Sequence, residues 1–207
     1  MKKIVSLLGI LLISGCTIIP KNEVTMATYN FTVESSTGNN LSDHSITKTG
    51  QKIHVPVVTA PLWLDTPAIH YRLAYHNDAQ TMTYANSRWS APPASLLTQR
   101  IKAKIAADTH HMVIKDSSVA IPKYALHIEL EDFSHIFSSL TDSHVSVRFR
   151  ASIVNNAHQL VAQKTFGTTQ LSTDANAAGA VKAFTMACNQ LINELVEWLN
   201  ASTENIQ

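Results

Sequence analysis

Histidines are the first place to look for chemistry in this 207-residue chain, because there are ten of them and only two cysteines. Imidazole is the commonest metal ligand and the usual general base near neutral pH. His110 and His111 are adjacent, so on a strand or a helix they face different ways and share an ion poorly. His127, Glu129, Glu131 and His135 have one strand parity and would line one face. Eight residues of strand nevertheless put the two histidines about 27 Å apart. One histidine with one or two carboxylates falls short of the three or four ligands that zinc takes, so these residues read as a solvated polar face. His44, His54, His70, His76, His144 and His158 are scattered and read as polar surface positions. Covalent catalysis finds no support either. The six glycines form no Gly-x-Ser-x-Gly elbow, no Gly-x-Gly and no Gly-Lys-Ser/Thr loop, the arrangements that expose a nucleophile or cradle phosphate. We therefore expect no catalytic residue, no bound metal and no cofactor: the protein is not read as an enzyme.

Cys16 has a more definite context. Lys2 and Lys3 open the chain, an apolar run fills Ile4 to Ile13, and Ile13-Ser14-Gly15-Cys16 follows. A basic start, a short apolar core and small residues before a cleavage point make an export signal. The core is about ten residues, roughly 15 Å as a helix, whereas a bilayer span needs about 20 residues. The lipobox pattern implies cleavage before Cys16, diacylglycerol on its sulfur and acylation of the new amine. Two or three acyl chains, at about 0.8 kcal/mol per buried methylene, hold a protein to a membrane where one chain is marginal. Thr17, not an aspartate, follows the cysteine, which by the enterobacterial sorting rule directs the product to the outer membrane. Removing residues 1–15 takes away Lys2 and Lys3 and leaves 14 basic and 15 acidic side chains. Attachment would thus rest on lipid, not on charge.

Cys188, without a partner once Cys16 is modified, falls in a helical apolar stripe and reads as a buried thiol. Trp89 precedes a helix and reads as core. Trp63, in the proline-bounded Pro61-Leu62-Trp63-Leu64-Asp65-Thr66-Pro67, is a candidate interface residue or a packing residue, since large exposed aromatics are enriched at interfaces. Tyr71-Arg72 and Arg88-Trp89 could form structural cation-π contacts.

These positions must be carried by a framework. Tyr29, Phe31 and Val33 alternate with polar residues as a strand, and Ile53, Val55 and Val57 form a second that Pro56 confines to an edge or end. Shorter strands are expected at Ile69 to Tyr75 and Thr81 to Ala85, with the turn at His76-Asn77-Asp78. Ser90 is a plausible cap for a helix carrying Leu97, Ile101 and Ile105, with Pro92 and Pro93 in its first turn. Val113 begins another strand. Tyr124 to Leu130 and Val145 to Ile153 alternate most regularly, and Leu160 to Leu171 completes a meander beyond Asn155-Asn156-Ala157-His158. Val181, Phe184, Cys188, Leu191, Leu195 and Trp198 recur at steps of three and four along a final helix. Strands with one polar face suit an antiparallel sheet. The fold class is accordingly α+β, a two-layer sandwich of a mainly antiparallel sheet with both helices on one face. Residues 1–15 read as signal peptide, 16–28 as lipidated tether, 29–202 as one domain and 203–207 as a tail.

Charged residues are 15% of the chain, the hydrophobic share is 45% and the formal charge is +1. A nucleic-acid binder needs clustered Lys and Arg to displace phosphate counterions. This chain has no such run, so no nucleic-acid partner is expected, and its apolar content excludes a disordered polar tail.

Read in order, Ile53-His54-Val55-Pro56-Val57, Leu64-Asp65-Thr66-Pro67-Ala68-Ile69-His70-Tyr71-Arg72, Thr83-Tyr84-Ala85-Asn86-Ser87-Arg88-Trp89-Ser90-Ala91-Pro92-Pro93, Leu96-Leu97, Tyr124 to Phe133 with Phe137, Phe166 and Trp198-Leu199 resemble the ABC-type transport auxiliary lipoprotein family. The resemblance spans nearly the whole mature chain; Thr59-Ala60-Pro61 departs from it, where a more direct proline turn is expected. It implies a non-catalytic docking subunit of an intermembrane lipid-transport system containing mammalian-cell-entry (MCE) domain proteins. Such a subunit sits on the periplasmic face of the outer membrane and meets the far end of an MCE-domain tunnel protein, itself joined to an inner-membrane subunit. Related lipoproteins can form homo-oligomeric rings. The competing reading is a stand-alone periplasmic lipid-binding lipoprotein, which needs an apolar cavity between helices and sheet.

Overall fold

A computed structural model describes residues 25–30 and 48–204. In chain order these form β1 (Ala27–Tyr29), β2 (Lys52–His54), β3 (Ala68–Leu73), β4 (Asn77–Trp89), α1 (Pro93–Asp108), β5 (Met112–Ile114), β6 (Tyr124–Phe137), β7 (Ser143–Asn155), β8 (Leu160–Leu171) and α2 (Ala177–Glu204). The α+β sandwich is as expected, with one refinement of the sheet. β6, β7 and β8 are a long antiparallel meander, and β3 is antiparallel to β4. The joins between these units are parallel: β2 and β3 both run alongside β6, β5 alongside β2, and β1 alongside β4. Parallel neighbours need long crossovers, here supplied by the excursion through β4 and α1 that returns the chain to β5 and β6.

The far edge of β6 is covered in three stretches by one passage of chain. Ile53 pairs with Tyr124, Thr59 bridges to Glu129 and Tyr71 pairs with His135. Pro56 explains the interruption, because it has no N–H to give the ladder. The expected strand through Val57 therefore ends at His54, and pairing resumes where Thr59 N donates to Ile128 O at 3.0 Å and Thr59 O accepts from Leu130 N at 2.8 Å.

Three local expectations are corrected. Ser90 does not cap α1; its N–H donates to Tyr29 O at 2.7 Å and helps tie β1 to the sheet. The helix starts after Pro92, whose φ of −50° suits the position but which offers no side-chain acceptor. The turn before β4 is Ala74-Tyr75-His76, with His76 N donating to Leu73 O, so Asn77 and Asp78 already belong to the strand. β1 begins at Ala27 and α2 extends to Glu204, each two residues past the expected domain limits. The expected strand positions Phe31 and Val33 lie outside the described residues.

Both helices pack on one sheet face, α2 over β7 and β8 with α1 beside it. Leu97, Ile101 and Ile105 of α1 and Phe184, Cys188, Leu191, Leu195 and Leu199 of α2 are fully buried. They meet the inward residues Leu126, Leu130, Phe133, Val145, Phe149 and Phe166 in a single core. Trp89 is buried as expected, edge-on to Phe133 and Phe184, which stack with centroids 4.2 Å apart. α2 is capped by Asn176, whose Oδ1 accepts from Gly179 N at 2.9 Å. Position 179 must be glycine-sized, because a Cβ there would lie 2.2 Å from Asp174 O.

Candidate interaction surfaces

Cys16 lies outside the described residues. Trp63 is on the surface, 44% exposed, in a loop closed when Leu64 N and Asp65 N both donate to Pro61 O, at 2.8 and 3.1 Å. Leu64 is fully buried and pins this loop, while Leu62 projects into solvent. The Trp63 ring rests edge-on against His70 at 5.4 Å. Burial holds the His70 pKa below its ordinary value, opposed by the Trp63 backbone. Trp63 thus both packs and presents surface, and the structure brings no second exposed aromatic ring into contact with it among the described residues. Tyr71 and Arg72 go separate ways: Tyr71 packs on Tyr84 and Phe137, and Arg72 pairs with Asp78 at 3.1 Å.

Expected to share a face, His127, Glu129, Glu131 and His135 do not. A register shift between Leu130 and Asp132 puts a bulge in β6. An extra residue in one strand reverses the alternation beyond it. His127 and Glu129 stay exposed, whereas His135 turns into the protein and has no exposed surface. The bulge is held by polar partners. Glu131 takes the guanidinium of Arg148 at 3.1 Å and that of Arg150; Asp132 accepts from Ser134 and, at 2.6 Å, from Ser146.

His135 has a partner on each ring nitrogen, Tyr84 Oη at 2.9 Å from Nδ1 and Ser172 Oγ at 3.3 Å from Nε2. A neutral imidazole, one nitrogen donating and one accepting, satisfies both contacts. Burial, with a smaller effect of His144, pushes its pKa down to about 4, and burial raises that of the Tyr84 phenol. A second buried imidazole lies at the opposite end of the sheet. His111 Nδ1 accepts from Gln51 N at 3.2 Å, and its Nε2 lies 3.2 Å from Thr203 Oγ1 near the end of α2. Burial lowers its pKa too, partly opposed by Glu204. Sequence spacing gave no sign of either pocket. Cys188 is fully buried in the core, its thiol pushed up to about 12 by desolvation.

Surface chemistry differs between the two ends. At the carboxylate end, where β3 turns into β4, β6 into β7, and β8 leads to α2, Tyr75, Leu140 and Leu171 are exposed among Asp78, Asp142 and Asp174. At the lysine end, the loop from β5 to β6 exposes Val119 and Ile121 between Lys115 and Lys123, and a shallow depression runs from Lys52 to Ile121 and Lys123. Asp116 in that loop is bound by His54 at 2.8 Å and Lys102 at 3.2 Å, which hold its carboxyl below the usual range.

Among the described residues no group of three His, Cys, Asp or Glu side chains is placed to hold a metal ion. No described helix is long and apolar enough to cross a membrane. Among solved structures, protein XCC0632 from Xanthomonas campestris, ascribed to the DUF330 family, is similar at 18% identity. The match covers 86% of this chain and 97% of that one, with a TM-score of 0.73. An uncharacterized protein aligns at 14% identity over 84% and 99% of the two chains, with a TM-score of 0.66. A search of curated proteins gave no match. The family model for the ABC-type transport auxiliary lipoprotein component matches residues 36–196. By that match, over most of its length, this chain belongs to the family of ABC-type transport auxiliary lipoproteins.

Proposed function

We propose that this protein is an outer-membrane lipoprotein, acylated at Cys16, that serves as the periplasmic docking subunit of an MCE-type intermembrane lipid-transport system. Its partners are then an MCE-domain tunnel protein and, through it, the inner-membrane subunit; a ring of copies is the form in which it would meet a tunnel. The observation that carries this reading over a lipid carrier is the filled space between the layers. Phe133, Phe149, Phe166, Phe184, Leu191 and Leu195 occupy it with 2% exposure or less, where a carrier would need room for acyl chains. Family membership as an auxiliary transport component supports a role beside a transporter. The exposed groups are suited to contact, with Trp63 and Leu62 on a pinned loop and apolar side chains at both ends.

Pull-down of native complexes from outer membranes tests the reading, with co-purification of an MCE-domain protein expected. Recovery of the protein alone, monomeric and with stoichiometric lipid, would favour the carrier. Cys16→Ala should shift the protein from the membrane fraction to the soluble periplasm, and continued membrane association would refute attachment by acylation.

A further inference from the structure

Strand register fixes which end of the body lies near the chain's own anchor. β6 runs from the lysine end at Tyr124 to the carboxylate end at Phe137, and Tyr71 of β3 is level with His135. Three residues earlier in β3, Ala68 pairs with Arg88, and Ser87 pairs with Ala27. Ala27 is therefore about four residues, roughly 13 Å, short of the level of Phe137. β1 is parallel to β4, and β4 starts at the carboxylate end, so Met26 and Thr25, just before Ala27, lie toward that end. Cys16 lies nine residue steps before Thr25, a reach of at most about 30 Å. The lysine end is about 35 Å from Thr25 along the sheet.

Resting on acylation of Cys16 as proposed above, we infer that the carboxylate end, through Tyr75, Leu140 and Leu171, is the surface that lies against the bilayer holding the acyl chains. By charge alone Lys52, Lys115 and Lys123 look better suited to a membrane, but the tether is too short to put them there. The carboxylate end has the composition for a zwitterionic phospholipid surface. Tyr75 and Leu140 sit on neighbouring turns, the former an aromatic with a polar tip of the kind enriched at lipid–water boundaries. Ser138, Ser139 and Thr141 surround Leu140. Asp78 is neutralised by Arg72, and Asp142 accepts from Ser139 Oγ at 2.7 Å within its own turn. Asp142 and Asp174 make an anionic surface the poorer match.

The test uses the full lipidated protein, purified from membranes and reconstituted into phosphatidylcholine–phosphatidylethanolamine vesicles, with Leu140→Cys or Ile121→Cys carrying an environment-sensitive fluorophore. Cys188, fully buried, stays unlabelled. A lipid-borne quencher should reduce emission at position 140 about threefold more than at position 121, as expected for a side chain within the boundary layer. Equal quenching at the two sites, or stronger quenching at 121, overturns the orientation. Flotation with the vesicles is scored first: protein that does not float shows that the anchoring reading has failed and takes this inference with it, whereas floating protein with the wrong quenching order refutes the orientation alone.

Discussion

His135 and His111 are imidazoles buried toward opposite ends of the sheet, and the two ends hold them with different materials. At the carboxylate end His135 packs against Tyr84 and Phe137, themselves packed on Tyr71, and two residues before it Phe133 stacks on Phe184 with Trp89 edge-on to both. At the lysine end His111 joins the start of β2 to the last turn of α2 through Gln51 and Thr203, above aliphatic residues such as Ile53, Ile105 and Leu199. Aromatic rings fill much volume with few torsions and stack in preferred geometries, so the first end is a rigid plug. The second is two hydrogen bonds pinning chain segments far apart in sequence. Burial carries a polar group at low cost only when both its nitrogens are matched, and His135 and His111 both meet that condition.

The largest test of this contrast is truncation of the aromatic plug. Phe184→Ala should cost about 3–5 kcal/mol in urea unfolding, whereas Ile105→Val near the other end should cost about 1 kcal/mol; equal losses would remove the distinction. Next comes pH. The pKa of His135 falls from 6.5 unfolded to about 4 folded, so between those values the unfolded chain binds more protons and stability rises with pH. Full stability is present above about pH 6.5 and about 3 kcal/mol is lost by pH 4. His135→Gln should flatten that slope most, and His111→Gln should flatten it less because Glu204 opposes the burial effect there; the reverse order in pH-dependent unfolding would break the comparison. Asn176→Ala, which uncaps α2 at the carboxylate end, should cost about 1 kcal/mol by thermal unfolding. At the lysine end Lys102→Ala removes only a solvent-exposed contact to Asp116 and should move stability by less than about 0.5 kcal/mol.

How far the sequence could be read follows from the range of each interaction. The meander of β6, β7 and β8 and both apolar helix stripes were legible, because a strand or helix with one buried face writes its period into adjacent residues. The burial of Trp89 and Cys188 was legible for the same reason. His135 was not. Its face depends on one bulged residue, around which Glu131 and Asp132 are bound by Arg148, Arg150 and Ser146 from the neighbouring strand. Likewise Ser90 has the chemistry of a helix cap, yet its backbone is committed to Tyr29, some sixty residues earlier.

The sequence by itself determined the lipobox-like pattern ending at Cys16, the scarcity of charge, the resemblance to its family and the two-layer class. These are properties of composition and of neighbours a few residues apart. Tertiary structure alone decided the parallel joins along β6, the inward turn of His135, the pairing of residues 52–73 with one strand edge, and the level at which the N-terminal segment enters the sheet. All four come from hydrogen bonds between segments distant in the chain, where register is chosen by the whole packed sheet and not by any local period.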